Sequence, residues 1–172
     1  MKLFVIYIGG DTATSLVELH DMRFVVAETI EDTYPALKAS WWGRPESLHI
    51  DNWGELTSAD GHDIYLKPEP VPEGQDQLWF VNLGGYDPAE FTELHKNVFV
   101  VAPNASKAKV RALKMILDWD AHHRDYQFEV EKSFCVADAA RVMGLHIHLV
   151  KTDTPSPFVF TAKYLPIGKD GA

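Results

Sequence analysis

The chain has 172 residues, 46% of them apolar and 24% charged, and carries a formal net charge of −9. These values describe an ordered globular protein long enough to bury a sizeable core, and they exclude a disordered or membrane-embedded chain. The acidic balance repels phosphate backbones and anionic headgroups, so neither nucleic acid nor membrane is an expected partner; one cysteine, Cys135, excludes an internal disulfide and fits a cytoplasmic protein.

Residues 1–8 begin like a signal peptide, but Gly9-Gly10-Asp11 halts the apolar run early, and residues 3–8 read as a strand. A polar connection leads to a β-branched strand over 22–27. In the helix that follows, Thr29 can act as cap, and Ile30, Tyr34, Leu37 and Trp41 recur as one buried stripe. Pro35 predicts a kink or a start near Thr33. Trp42 is left at the margin of that stripe, and with Trp53 it is expected to pack against the second half of the chain. Strands over about 47–56 and 62–67 flank a turn at Ser58-Ala59-Asp60-Gly61, and a Pro-rich spacer covers 67–74.

The second half repeats this order. Strands are expected at 77–83 and 97–102, then a helix capped by Asn104 or Ser106 with a stripe of Ala108, Ala112, Met115 and Trp119. Strands at about 125–134 and 145–151 are joined through a short helix over 137–143, and a last strand is expected at 157–165. The dense basic run Lys107, Lys109, Arg111 and Lys114 reads as a solvated helix face.

Shifting the chain by 75 positions lays residues 3–27 on 78–102 without a gap and gives ten identities in 25 positions, where about one or two are expected by chance. Gly9-Gly10 falls on Gly84-Gly85, Glu18-Leu19-His20 on Glu93-Leu94-His95, and Phe24-Val25-Val26-Ala27 on Phe99-Val100-Val101-Ala102. Further on, Gly61, Ile64 and Leu66 correspond to Gly144, Ile147 and Leu149. The expected fold is therefore α+β: a tandem duplication of a ββαββ unit, pseudo-twofold, with mainly antiparallel sheet and helices packed on one face. The units span 1–67 and 77–151, with a linker at 68–76 and a C-terminal extension at 152–172.

The apolar strand, Gly-Gly pair, polar loop ending in Glu-Leu-His, Phe-Val-Val-Ala strand and helix ending near Trp42-Gly43 resemble the bacterial family catalogued as domain of unknown function 1543. That resemblance implies two tandem copies of a short domain and brings no activity with it.

The residues best suited to recognition are those repeated in the polar loops: Gly9, Gly10, Glu18, His20, Gly84, Gly85, Glu93 and His95. Glu18, His20, Glu93 and His95 could converge near the pseudo-twofold axis and bind a ligand or metal. Alternatively, each Glu and His hydrogen-bonds the backbone at the start of the second strand and only holds the loop. The glycines lack a phosphate-loop pattern and are expected to supply positive φ in a tight turn. His49 with Asp51, and His146 with His148, alternate onto one strand face and either pair could bind zinc, but exposed sheet polarity is the plainer reading; His62 with Asp63 and His122 with His123 are further pairs. Cys135 sits in an apolar run that raises its pKa, and no nucleophile motif is present.

The leading expectation is a non-catalytic module that recognises a small molecule or a protein through the two loops, with no metal or cofactor assigned. The alternative is a small metal-assisted or acid/base enzyme using the Glu/His pairs. Carboxylates and imidazoles converging in one cleft favour the enzyme; side chains turned into their own backbone favour a scaffold role. A homodimer completing an open sheet edge is a third expectation.

Overall fold

The computed structural model describes residues 1–115 and 130–168. In chain order these form β1 (Lys2–Gly10), β2 (Leu19–Ala27), α1 (Tyr34–Ser40), β3 (His49–Glu55), β4 (Ser58–Ala59), β5 (His62–Lys67), β6 (Gln77–Gly85), β7 (Leu94–Ala102), α2 (Ala105–Met115), β8 (Val130–Cys135), α3 (Ala137–Arg141), β9 (His146–Lys151) and β10 (Phe160–Pro166). Three antiparallel sheets result, ordered β10-β3-β1-β2, β7-β6-β8 and β4-β5-β9.

The expected α+β fold with mainly antiparallel sheet is found. β1 pairs β2 from Lys2 opposite Ala27 to Gly10 opposite Leu19, and β6 pairs β7 from Gln77 opposite Ala102 to Gly85 opposite Leu94, the same register 75 residues on. Even the irregularities correspond: a bulge separates Tyr7 from Ile8 in the β1–β3 ladder and Asn82 from Leu83 in the β6–β8 ladder. The last strands of the units pair with each other. Ile64 lies opposite Leu149 and Leu66 opposite Ile147, so the pseudo-twofold axis passes through the Tyr65–His148 pair.

Why the units join follows from the strand pattern. β1 is apolar on both faces and needs cover on each. Phe4, Ile6 and Ile8 pack under Leu37 of α1 and Trp41. Leu3 and Val5 turn the other way, into a core shared with Leu78, Phe80 and Val101 of the second unit. In that unit Val81, Leu83 and Val100 pack under Ala108 and Ala112 of α2. α1 and α2 thus each cover one face of their own sheet while the opposite faces pack together, and α3, with Ala140 in the shared core, packs on β2 and β9 instead of joining the expected helix layer. Phe24 anchors this contact, with ring centroids 5.2 Å from Phe80 and 5.8 Å from Phe134; aromatic pairs at such spacing stabilise beyond the area they bury.

Several expectations change. β2 and β7 start three residues earlier than read from the sequence, so His20 and His95 stand on strands, not in loops. Gly9, Gly10, Gly84 and Gly85 end strands, and none has positive φ; among the described glycines that conformation occurs at Gly61, Gly74 and Gly144. The first helix starts late, as Pro35 requires, after a 3-10 turn over Glu31–Thr33 in which Thr29 and Asp32 exchange hydrogen bonds. It ends before Trp41 and Trp42, which stack at 5.0 Å. Trp42 is exposed and Trp53 packs on the core under α1, so neither lies between the units. In α2, Asn104 Oδ1 accepts from Lys107 N as a cap, and Met115 is exposed. Lys107, Lys109, Arg111 and Lys114 are exposed as expected, and Arg111 is in addition paired: its guanidinium holds the Asp60 carboxylate, which also accepts from Val101 N at 2.8 Å, tying the first unit's turn to β7. Trp119, His122, His123 and the expected strand start at 125–129 lie outside the described residues.

Candidate functional site

Because β1 lies between β2 and β3, Gly9 is opposite His20 on one side and His49 on the other. Residues opposite one another in an antiparallel ladder share a face, so both imidazoles rise over Gly9. A Cβ at this position would come within 2.6 Å of His49 Nε2 and 3.0 Å of His20 Nε2. The glycine is there for clearance, which explains what positive φ does not.

The β3 bulge supplies the third strand residue of the group. Asn52 pairs with Tyr7 and Ile50 with Ile8, leaving Asp51 as the extra residue. A bulge re-aims a side chain, and here the Asp51 carboxylate reaches both rings: Oδ2 is 3.3 Å from His20 Nε2 and Oδ1 is 3.5 Å from His49 Nε2. Glu18, just before β2, closes the group, with Oε1 at 3.1 Å from His49 Nε2 and Oε2 at 3.5 Å from His20 Nε2. Tyr7 stacks on His20 at 5.1 Å and Tyr164 lies 4.5 Å from His49, which fixes both ring planes. Burial, then the Asp51 and Asp21 carboxylates, push the Tyr7 phenol above its ordinary pKa.

The ring of His49 is further held from behind. Its Nδ1 donates to the Ser47 carbonyl at 2.9 Å, which leaves Nε2 to face the group. Ser47 is itself fixed: its Oγ accepts from Asp11 N at 2.9 Å and donates to the Arg44 carbonyl at 2.8 Å. Arg44 grips the Asp11 carboxylate through Nε at 2.6 Å and Nη2 at 2.7 Å, and that hydrogen-bonded pair holds the Asp11 carboxyl below the usual range. Gly10 permits this closeness, since a Cβ there would stand 2.6 Å from Trp41 and 2.8 Å from Ser47 Oγ.

Among the described residues, the two buried side-chain polar atoms without a hydrogen bond are His49 Nε2 and Asp51 Oδ2, both in this group. Glu18 and His20 do not turn into their own backbone. They meet His49 and Asp51, which the sequence offered as a separate same-face pair; the missing signal was the pairing of β1 with β3, a contact spanning some forty residues of sequence.

In the second unit His95 Nε2 lies 3.7 Å from Glu93 Oε2. His20 and His95 both line a cleft of about 450 Å³ between the units, whose wall also includes Tyr7, Asp21, Asn82, Asn97 and Lys132, while Glu18 and Glu93 do not line it. Asn82 donates to Asn97 at 2.7 Å on its wall. None of the four glycines lines it. His146 lines a different hollow beside residues 70–78, and His148 Nε2 lies 2.8 Å from the Glu69 carbonyl. Cys135 is partly buried, donates to Gln77 Oε1 at 3.2 Å, and has its pKa raised by desolvation as expected. No helix among the described residues is long and apolar enough to cross a membrane.

No curated protein matches the chain. The fold is similar to the crystal structure of a protein Il1583 from Idiomarina loihiensis, with a TM-score of 0.71 and 29% identity over 96% of this chain and 97% of that one. Residues 15–66, which carry Glu18, His20, His49 and Asp51, match the family described as Domain of Unknown Function (DUF1543), the family that the sequence resembles.

Proposed function

We propose that the chain is a cytoplasmic protein that binds a small polar molecule in the cleft between its two units. The observation supporting this is that His20 and His95, equivalent residues of the two hairpins, line one hollow of about 450 Å³, a size suited to a small ligand. Lys132 offers a cation and the Asn82–Asn97 amides paired donors and acceptors, while the Asp21 carboxylate at the same wall is already held by Arg23. A molecule carrying both a donor group and an anionic or acceptor group fits such a lining better than a hydrocarbon does. Ligand-observed NMR with a panel of amino acids, nucleosides and short peptides tests this. A binder should be weakened by Asn82→Ala and by His95→Ala; binders indifferent to both changes, or none in the panel, would count against the cleft.

A second reading makes the same cleft an active site. What favours it is His20, which lines the cleft while its Nε2 stands 3.5 Å from Glu18 and 3.3 Å from Asp51. In that reading His20 exchanges a proton with the bound molecule and the carboxylates hold the imidazolium. Conversion of a bound panel compound that stops in His20→Ala, with binding retained, supports it; a ligand recovered unchanged after long incubation refutes it.

A further inference from the structure

We infer that Glu18, His20 and His49, with Asp51 beside them, form a binding site for one divalent transition-metal ion, held by two imidazole nitrogens and a Glu18 carboxylate oxygen with a further position open to solvent or ligand. This stands on the first unit alone and is independent of whether the inter-unit cleft takes a small molecule.

Three observations carry it. The first is the orphaned pair of atoms: His49 is 1% exposed, and its Nε2 and Asp51 Oδ2 are buried without a hydrogen bond although oppositely chargeable groups stand close by. Buried polar atoms left this way call for a partner. With Nδ1 donating to the Ser47 carbonyl, a ring without a proton on Nε2 points a lone pair at carboxylate oxygens 3.1 and 3.5 Å away. Lone pairs facing lone pairs repel, and a cation between them turns that repulsion into coordination.

The second is the spacing. Metal bonds of about 2.0–2.2 Å at tetrahedral angles put neighbouring ligand atoms about 3.3–3.6 Å apart. Glu18 turns one oxygen to each imidazole, Oε1 at 3.1 Å from His49 and Oε2 at 3.5 Å from His20, and Asp51 does the same at 3.5 and 3.3 Å; one ligand atom each from Glu18, His20 and His49 lies within 4.8 Å of the others, close enough to share one ion. The third is the support. A histidine ligand is ordinarily oriented by a hydrogen bond from its other nitrogen, and His49 has one from Nδ1 to a carbonyl whose residue is locked by Asp11 and Arg44. Gly9 keeps the floor clear where both Nε2 atoms converge.

The donor set specifies the class of ion. Two imidazoles with a carboxylate suit Zn²⁺, Co²⁺, Ni²⁺ or Fe²⁺ rather than Ca²⁺ or Mg²⁺, which prefer all-oxygen shells. The Asp51 carboxylate beside the three ligands adds a second negative charge against a dication.

The test uses the full chain stripped with chelator, titrated with Zn²⁺ against a chromophoric competitor and with Co²⁺ followed by visible absorption. One ion per chain is expected, with the strong visible band of four-coordinate Co²⁺. Glu18→Gln, a change at a half-exposed side chain that leaves the core intact, and His20→Ala should each weaken Zn²⁺ binding by about 100-fold or more, since loss even of outer-shell partners costs about 10–100-fold. His146→Ala, remote from the group, should not change it. The proposal is overturned if the folded chain takes up neither ion stoichiometrically. It is equally overturned if binding survives both site changes or disappears with His146→Ala.

Discussion

The two Gly-Gly hairpins have the same backbone and different chemistry. Gly9 faces His20 as Gly84 faces His95, and the neighbouring ladders bulge at the same place. Yet Tyr7 becomes Asn82, Asp21 becomes Lys96 and Met22 becomes Asn97. In the first hairpin an aromatic ring stacks on the histidine and Asp51 reaches it; in the second, an amide pair occupies the corresponding wall. A duplicated framework preserves where side chains stand, and the residues that are not shared decide what each stand does.

The largest effect that would sharpen this comparison lies in the shared core. Phe80 stands in the second unit where Val5 stands in the first, both facing the contact between units. Phe80→Ala should destabilise by about 3–5 kcal/mol, and Val5→Ala by less because it removes fewer buried carbons. Because the core is common, urea unfolding should stay a single transition in both; two separated transitions would show units that fold apart.

At the site itself, Gly9→Ala should cost about 1–3 kcal/mol, as overpacking does, because the new methyl meets His49 Nε2 at 2.6 Å. A fully stable Gly9→Ala chain would mean the imidazoles move aside freely, against a rigid site. Comparing His20→Ala with His95→Ala then separates the two proposals. The small-molecule cleft should suffer from both changes, and Zn²⁺ affinity from the first.

The smallest effect is the pH dependence of the loop behind His49. The Arg44 guanidinium depresses the Asp11 pKa in the folded chain, so the unfolded state binds its proton more readily. The pair's contribution is present above the ordinary carboxylate value of about 3.9 and is lost as pH falls through the lower folded value. Asp11→Asn should therefore be less stable than the parent at neutral pH and approach it in acid. A difference that does not shrink on acidification would point to packing rather than charge. Both groups are at the surface, so the effect should also fade with salt.

Much of this was legible in one dimension. The repeat offset, the late helix start imposed by Pro35, the Asn104 cap and the Gly61/Gly144 correspondence depend on neighbours in sequence or on a shared pattern, and local geometry expresses them directly. Glu18 and His20 were visible as repeated polar residues, and His49 and Asp51 as a same-face pair, but nothing in either pattern joined them. Joining them took the pairing of β1 with β3 and the bulge that frees Asp51, and strand order is set by which apolar faces can be buried together. The glycines show the same division. Their repetition marked them as necessary, while the reason at Gly9 and Gly10, clearance for two imidazoles and for Trp41, exists only once strands distant in the chain lie side by side. Sequence determined the unit and its elements because those follow from periodicity and local sterics; tertiary structure alone decided the site, because its four side chains are brought to one point by long-range packing.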